Sequence, residues 1–324
     1  MYLSVKSVCI VGGAGFIGSH IVEYLLTSSF AQILVIDDLS SGGIGRIEPY
    51  LIDPRVTFQK LDARDLTLLT KSLLDQRVDL VIHLASNPDI AAAMEKPTID
   101  FERGTLITQS VVEASRLAGV QTVLYASGSG VYGDYGLLPC VESTTLPRPI
   151  STYGASKLAG ESMLSAYANM CGLRCLAFRF GNVVGHRATH GVYYDFVNRL
   201  YSDPTKLHVR GNGNQSKSYV YINDVISAVF TAEAHHISGF DVFNVATDDY
   251  VSVREIAEMA IEIGGLERSL VRVTYEESER GWAGDVPIVR LSSDKLRALG
   301  WRCRFSSRKA IQLSLTSRWQ ECRA

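Results

Sequence analysis

The stretch that most constrains this chain is Ser7 to Asp38. It opens with the apolar run Val8 to Val11 and meets Gly12-Gly-Ala-Gly-Phe-Ile-Gly18. Apolar residues at helical spacing follow (Ile17, Ile21, Leu25), and a second apolar run, Ile33 to Ile36, stops at Asp37. This order predicts strand, glycine turn, helix, strand and terminal acid. Gly12 permits the tight turn off the strand, Gly15 lets backbone approach a pyrophosphate, and Gly18 lets the helix pack closely. The helix N-terminus then offers unpaired N–H groups and the positive end of its dipole to phosphate. Asp37, about 20 residues beyond the glycines, is placed to accept hydrogen bonds from adenosine ribose hydroxyls and to repel a 2′-phosphate, which favours NAD over NADP.

Beyond this unit, short apolar runs alternate with helical periods. Strands are expected at Val56 to Leu61, Leu80 to Ala85, Thr122 to Ser127 and Leu176 to Phe180. Helices are expected at Leu66 to Leu74, Asp100 to Ala118, Asp224 to Glu233 and Ser252 to Ile263, with a further one from Tyr153 to about Met170. Gly128 to Ser151 and Gly181 to Gly191 read as loops. Such alternation implies an α/β chain with a Rossmann-type doubly wound parallel sheet. Asp62 ends a strand, where the ligands of such sheets gather.

Composition narrows the partners. A formal net charge of -2 exerts no general pull on nucleic acid or anionic membrane, so phosphate binding has to be local. The six cysteines are scattered without paired zinc spacing, and neither His235-His236 nor the loop pair His186 and His190 shows the HExxH arrangement that puts ligands on one helix face, so no metal is expected. No apolar run reaches the roughly 18 residues of a membrane span, and a reduced, cytoplasmic setting is the simplest expectation. Arg302, Arg304, Arg308 and Lys309 read as a solvated face.

Tyr153 and Lys157 stand one helical turn apart and share a face. A free tyrosine, with a pKa of about 10, is a poor base at neutral pH. A neighbouring lysine and the positive nicotinamide ring of bound NAD would both favour the phenolate, so the pair predicts a proton acceptor for alcohol oxidation.

The chain resembles the extended short-chain dehydrogenase/reductases of the nucleotide-sugar epimerase/dehydratase family, most of all their UDP-glucose (UDP-galactose) 4-epimerase branch. The resemblance rests on Gly12 to Gly18, Asp37-Asp-Leu-Ser, His83-Leu-Ala-Ser, Val131-Tyr-Gly133 and Tyr153-Gly-Ala-Ser-Lys157. Asn182-Val-Val-Gly185, Gly211-Asn-Gly-Asn-Gln and Arg280-Gly-Trp-Ala-Gly-Asp285 extend it through the second half. It implies a tightly held NAD over residues 1–180, to which about 219–247 return, and nucleotide-sugar binding by residues 181–324, a smaller C-terminal α/β substrate-binding domain. The cofactor residues it implies are Gly12, Gly15, Phe16, Ile17, Gly18, Asp37, Asp38, Ser40, Ser41, Gly42, Asp62, Ala63, Leu84, Ala85, Ser86, Ser127, Tyr153 and Lys157. The substrate residues are Ser129, Asn182, Val192, Val209, Lys217, Tyr219, Arg280 and Asp285.

What the resemblance implies for activity is a redox-neutral C4 epimerisation of a UDP-hexose, with UDP-glucuronate or UDP-N-acetylhexosamine epimerisation, or dehydration or 4-ketoreduction, as alternatives. A homodimer is the common assembly of the family. Two positions depart from its pattern. The usual Ser or Thr four residues before the tyrosine of Val-Tyr-Gly is Gly128, which leaves Ser129 as the nominated hydroxyl beside Tyr153 and Lys157. The Asp-Glu pair of 4,6-dehydratases is replaced by Ser129 and Gly130, which disfavours elimination; Cys140 and Glu142 are the remaining candidates for it.

Overall fold

A computed structural model describes residues 7–28 and 32–323, the side chains of Ile90 and Ala91 apart. The chain runs β1 (Ser7–Val11), α1 (Phe16–Leu26), β2 (Gln32–Asp37), β3 (Val56–Lys60), α2 (Leu66–Asp75) and β4 (Leu80–His83). A π-helical turn, Phe101–Thr105, leads into α3 (Leu106–Ala118), followed by β5 (Thr122–Gly128), α4 (Thr152–Cys171) and β6 (Arg174–Phe180). Then come β7 (Asn182–Val184), α5 (Val192–Ser202), β8 (Lys206–Val209), β9 (Ser216–Lys217), β10 (Tyr219–Tyr221), α6 (Ile222–His235) and β11 (Phe240–Val245). The chain ends with β12 (Val251–Ser252), α7 (Val253–Ile263), β13 (Arg272–Tyr275), α8 (Asp294–Ala298) and α9 (Ser307–Arg323).

Two compact units form, one of residues 1–131, 152–179 and 226–243, the other of residues 132–151, 180–225 and 244–324. The main sheet is ordered β3-β2-β1-β4-β5-β6-β11. Val11 is the register partner of both Ile36 and His83, each pairing parallel, so strand order reverses at β1. The carboxyl ends of the strands on either side of such a reversal leave a crevice for ligand. Every residue of β1 and β4 is buried, which is why these strands read as continuous apolar runs rather than alternating ones. Leu34, Ile36, Val81, Val111, Val123 and Leu164 belong to the core that covers one face.

The buried residues of α4 include Gly154, Lys157, Glu161, Leu164 and Ala168 at helical spacing. Two of these are charged, so the stripe is not purely apolar. Glu161 is satisfied: Arg179 donates to it at 2.9 and 2.6 Å, and the Ser127 hydroxyl at 2.6 Å.

Two segments differ from expectation. The loop expected at Gly181 to Gly191 contains β7, which pairs parallel with β10 (Asn182 to Tyr219). The helix expected from Asp100 begins with the π turn. Gly104 of that turn lies so close to α4 that a Cβ there would stand 2.0 Å from the Ser156 hydroxyl oxygen.

The second unit holds its short strand pairs β7 with β10, β8 with β13 and β9 with β12. Helices α5, α7 and α9 pack together in it. Trp319 of α9 is buried and donates its indole N–H to Ala260 O on α7 at 3.0 Å.

Candidate active site

The glycine turn is built from backbone too close together for side chains. Gly12 has φ +84°, and a Cβ there would fall 2.6 Å from Ala85 N. A Cβ on Gly18 would fall 2.5 Å from Gly13 Cα and 2.6 Å from Gly12 O. The N-terminus of α1 carries no capping side chain and no acid in its first turn, so its first N–H groups are available to an anion. Leu84 N and Ala85 N both donate to Val11 O, at 2.8 and 3.0 Å, which ties the segment after β4 to the end of β1.

Asp37 braces this turn from the end of β2. One carboxylate oxygen accepts Ala14 N at 3.0 Å and the other Leu39 N at 2.9 Å. Burial pushes its carboxyl above the usual range, opposed by these two backbone N–H groups. Gly42 packs beside it, where a Cβ would lie 3.0 Å from the carboxylate. Asp38 pairs with Arg103 and accepts the Ser40 hydroxyl at 2.6 Å, while Asp62 is held by Arg64. An uncapped helix N-terminus beside a carboxylate fits a dinucleotide: phosphates against the first N–H groups of α1, ribose hydroxyls against Asp37.

Tyr153 and Lys157 stand on α4 of the same unit. Lys157 is buried, donates to Ala126 O at 2.7 Å, and its Nζ lies 5.5 Å from the centre of the Tyr153 ring and 5.1 Å from that of Tyr125. The spacing predicts that Lys157 lowers the Tyr153 pKa; the balance in the structure runs the other way. Burial pushes the Tyr153 hydroxyl up to about 12 and the Asp100 charge adds to this, while a hydrogen bond with the Ser86 side chain works against it. Burial also brings Lys157 down to about 7, opposed by Asp100. The lysine therefore loses part of its charge near pH 7, and tyrosinate formation needs the positive charge of the bound cofactor more than the sequence spacing implies.

The position lacking the expected hydroxyl lies against Tyr153. A Cβ on Gly128 would be 4.0 Å from Tyr153 Oη, and one on Gly130 3.9 Å from Tyr153 Cδ1, both ordinary contacts. Among the described residues the hydroxyl bonded to Tyr153 belongs to Ser86 rather than Ser129. The Ser127 hydroxyl is spent on Glu161. Sequence reasoning also missed Asp100, a carboxylate 1 % exposed that accepts Asn87 Nδ2 at 3.0 Å and the Thr152 hydroxyl at 2.7 Å. No local signal marks it, since its two partners come from two segments far apart in the chain.

The remaining substrate candidates lie in the second unit. Tyr219 and Asn182 are register partners on β10 and β7, and their side chains are hydrogen-bonded. Lys217 pairs with Asp285 at 2.6 Å and Arg280 with Asp134 at 3.0 Å. Each cation expected to meet a pyrophosphate thus already has a carboxylate partner. Val209 is fully buried in β8, and Val192 opens α5 with part of its surface exposed. Glu142 accepts Asn244 N at 2.8 Å and Cys140 is buried, so neither is presented as a free acid or thiol.

The sequence profile of the NAD dependent epimerase/dehydratase family matches residues 8–246. A UDP-glucose 4-epimerase of Mycolicibacterium smegmatis is 31% identical over 300 residues, covering 90% of this chain and 92% of that one. The crystal structure of a Thermus thermophilus UDP-glucose 4-epimerase in complex with NAD superposes with a TM-score of 0.84 at 32% identity, over 96% of this chain and 98% of that one. A dTDP-glucose 4,6-dehydratase from Streptomyces venezuelae with NAD bound is equally similar in fold, with a TM-score of 0.87 at 26% identity and 97% coverage of both chains.

Proposed function

The chain belongs to the NAD-dependent epimerase/dehydratase family and uses NAD, and from that premise we propose that it interconverts UDP-glucose and UDP-galactose by redox-neutral epimerisation at C4. The observation that carries this reading is the setting of Tyr153. The segment against it, Gly128-Ser-Gly130, brings no carboxylate. Eliminating water across C5 and C6 needs an acid and a base beside the sugar, whereas epimerisation needs one proton acceptor and a keto sugar free to turn.

Bound NAD supplies a hydride acceptor that returns what it takes, and a positive ring that favours the phenolate. The glycine turn, the α1 N-terminus and Asp37 are the groups suited to its pyrophosphate and ribose. Tyr153 takes the C4 hydroxyl proton and later gives it back. Lys157, held by Ala126 O, lies within reach of the tyrosine ring and shares in orienting it. Lys217 and Arg280 are suited to the nucleotide diphosphate, which would draw them from Asp285 and Asp134. Tyr219 and Asn182 are assigned to the uridyl sugar.

The test is incubation of the NAD-loaded protein with UDP-glucose, the products resolved chromatographically and the nicotinamide absorbance followed. UDP-galactose with no net absorbance change supports the reading. Conversion only of UDP-glucuronate or a UDP-N-acetylhexosamine would move the substrate, and a 4-keto-6-deoxy product would overturn the reaction.

A further inference from the structure

We propose that Ser86 supplies the hydroxyl that stabilises deprotonated Tyr153, in place of the side chain that Gly128 lacks; this deepens the acid–base assignment of Tyr153 made above. Three features of the first unit support it.

The first is the hydrogen bond between the two side chains, with Ser86 acting on Tyr153 as a donor that favours the phenolate. The second is that this contact is built rather than incidental. Asp100, buried in the π turn's approach, grips Asn87 with one oxygen and Thr152 with the other. These are the chain neighbours of Ser86 and Tyr153, so one carboxylate clamps the segment after β4 to the start of α4. Asn87 is itself locked, its Nδ2 donating to Asp89 O at 2.8 Å and its Oδ1 accepting Asp89 N at 3.1 Å. The third is the space beside Gly128, where a Cβ would make only ordinary contact with Tyr153. Gly128 itself brings no hydroxyl to Tyr153, whereas the segment after β4 brings that of Ser86.

The clamp has an electrostatic consequence. Asp100 opposes formation of the phenolate and favours the cationic form of Lys157, so the brace that positions Ser86 also works against the state that Ser86 supports. The groups facing Tyr153 are Asp100 from the turn before α3, Lys157 from its own helix and Tyr125 from β5. His83 of β4 stands behind Lys157 and Tyr125 and is held neutral by burial. A donor hydrogen bond is the one favourable neutral contact in this set.

The experiment follows the ultraviolet absorbance of tyrosinate in the NAD-loaded protein as pH is raised, with Tyr153→Phe subtracted. Ser86→Ala should move the Tyr153 titration up by about one pH unit, a roughly tenfold smaller deprotonated fraction at fixed pH. The rising limb of the kcat profile should move with it while KM holds. Ser86→Thr should keep the original titration, and Ser86→Ala combined with Gly128→Ser should restore it. A titration unmoved by Ser86→Ala overturns the proposal, as does a double variant that stays shifted. The titration reads Tyr153 without any sugar, so failure to turn over UDP-hexoses would leave this point independently decided.

Discussion

Gly18 provides the sharpest test of how the glycine turn is built. An alanine there would place its Cβ 2.5 Å from Gly13 Cα, 2.6 Å from Gly12 O and 2.7 Å from Gly13 O. All three neighbours are backbone, so relief requires α1 or the turn to move by nearly an ångström. Alanine is the better helix former by roughly 0.5–1 kcal/mol, whereas forced overpacking costs about 1–3 kcal/mol. The clash should win, and Gly18→Ala should lose about 1–2 kcal/mol of apoprotein stability. Gly15→Ala is the control. Its Cβ meets only Gly12 O, at 3.2 Å, and its backbone, at φ -79°, accepts alanine, so its apoprotein should stay within about 0.5 kcal/mol of wild type. Both variants should bind NAD more weakly. Urea unfolding of the apoproteins with unchanged slope, and NAD titration of each, supply the comparison. Gly18→Ala as stable as wild type, or less damaging than Gly15→Ala, would refute the reasoning.

Tyr153→Phe should abolish turnover while NAD binding and the unfolding midpoint hold, because among the described residues the hydroxyl lost is bonded to the Ser86 side chain. Glu161→Gln should cost about 3–5 kcal/mol in urea unfolding, since it removes the carboxylate charge that pairs with the buried Arg179 guanidinium. His83 is fully buried with its pKa brought down to about 3 by burial. The unfolded chain therefore binds the extra proton between its own pKa and that value, and stability should fall as pH drops from about 6.5 toward 3, less steeply in His83→Gln. Lys157, brought down to about 7, has the same sign in another window: apoprotein stability should rise between pH 7 and about 10.5, and Lys157→Met should remove that slope in pH-dependent unfolding.

What was legible in the sequence was what the local chain decides. β1, β2, β4 and β5 are strands buried on both faces, so apolar runs marked them, and the glycines marked a turn whose crowding the structure bears out. The short strand β7 was hidden because its pairing with β10 is supplied by a segment far along the chain. The π turn at Phe101–Thr105 depends on the approach of Gly104 to Ser156, which no periodicity reports. Pairings across long separations were equally invisible: Asp100 with Asn87 and Thr152, Lys217 with Asp285, Arg280 with Asp134. The direction of the Tyr153 titration escaped for a related reason. Spacing on a helix reveals a nearby lysine, but not the desolvation that raises the tyrosine and lowers the lysine together.

The central claim, that Tyr153 and a resident NAD invert C4 without net redox change or elimination, is tested most directly with UDP-glucose deuterated at C4. Nuclear magnetic resonance of the product locates the label. The account predicts UDP-galactose that retains deuterium at C4, in a mixture approached equally from either sugar. Deuterium found at C6 of a 4-keto-6-deoxy sugar, or its loss to a released reduced nicotinamide, would contradict it.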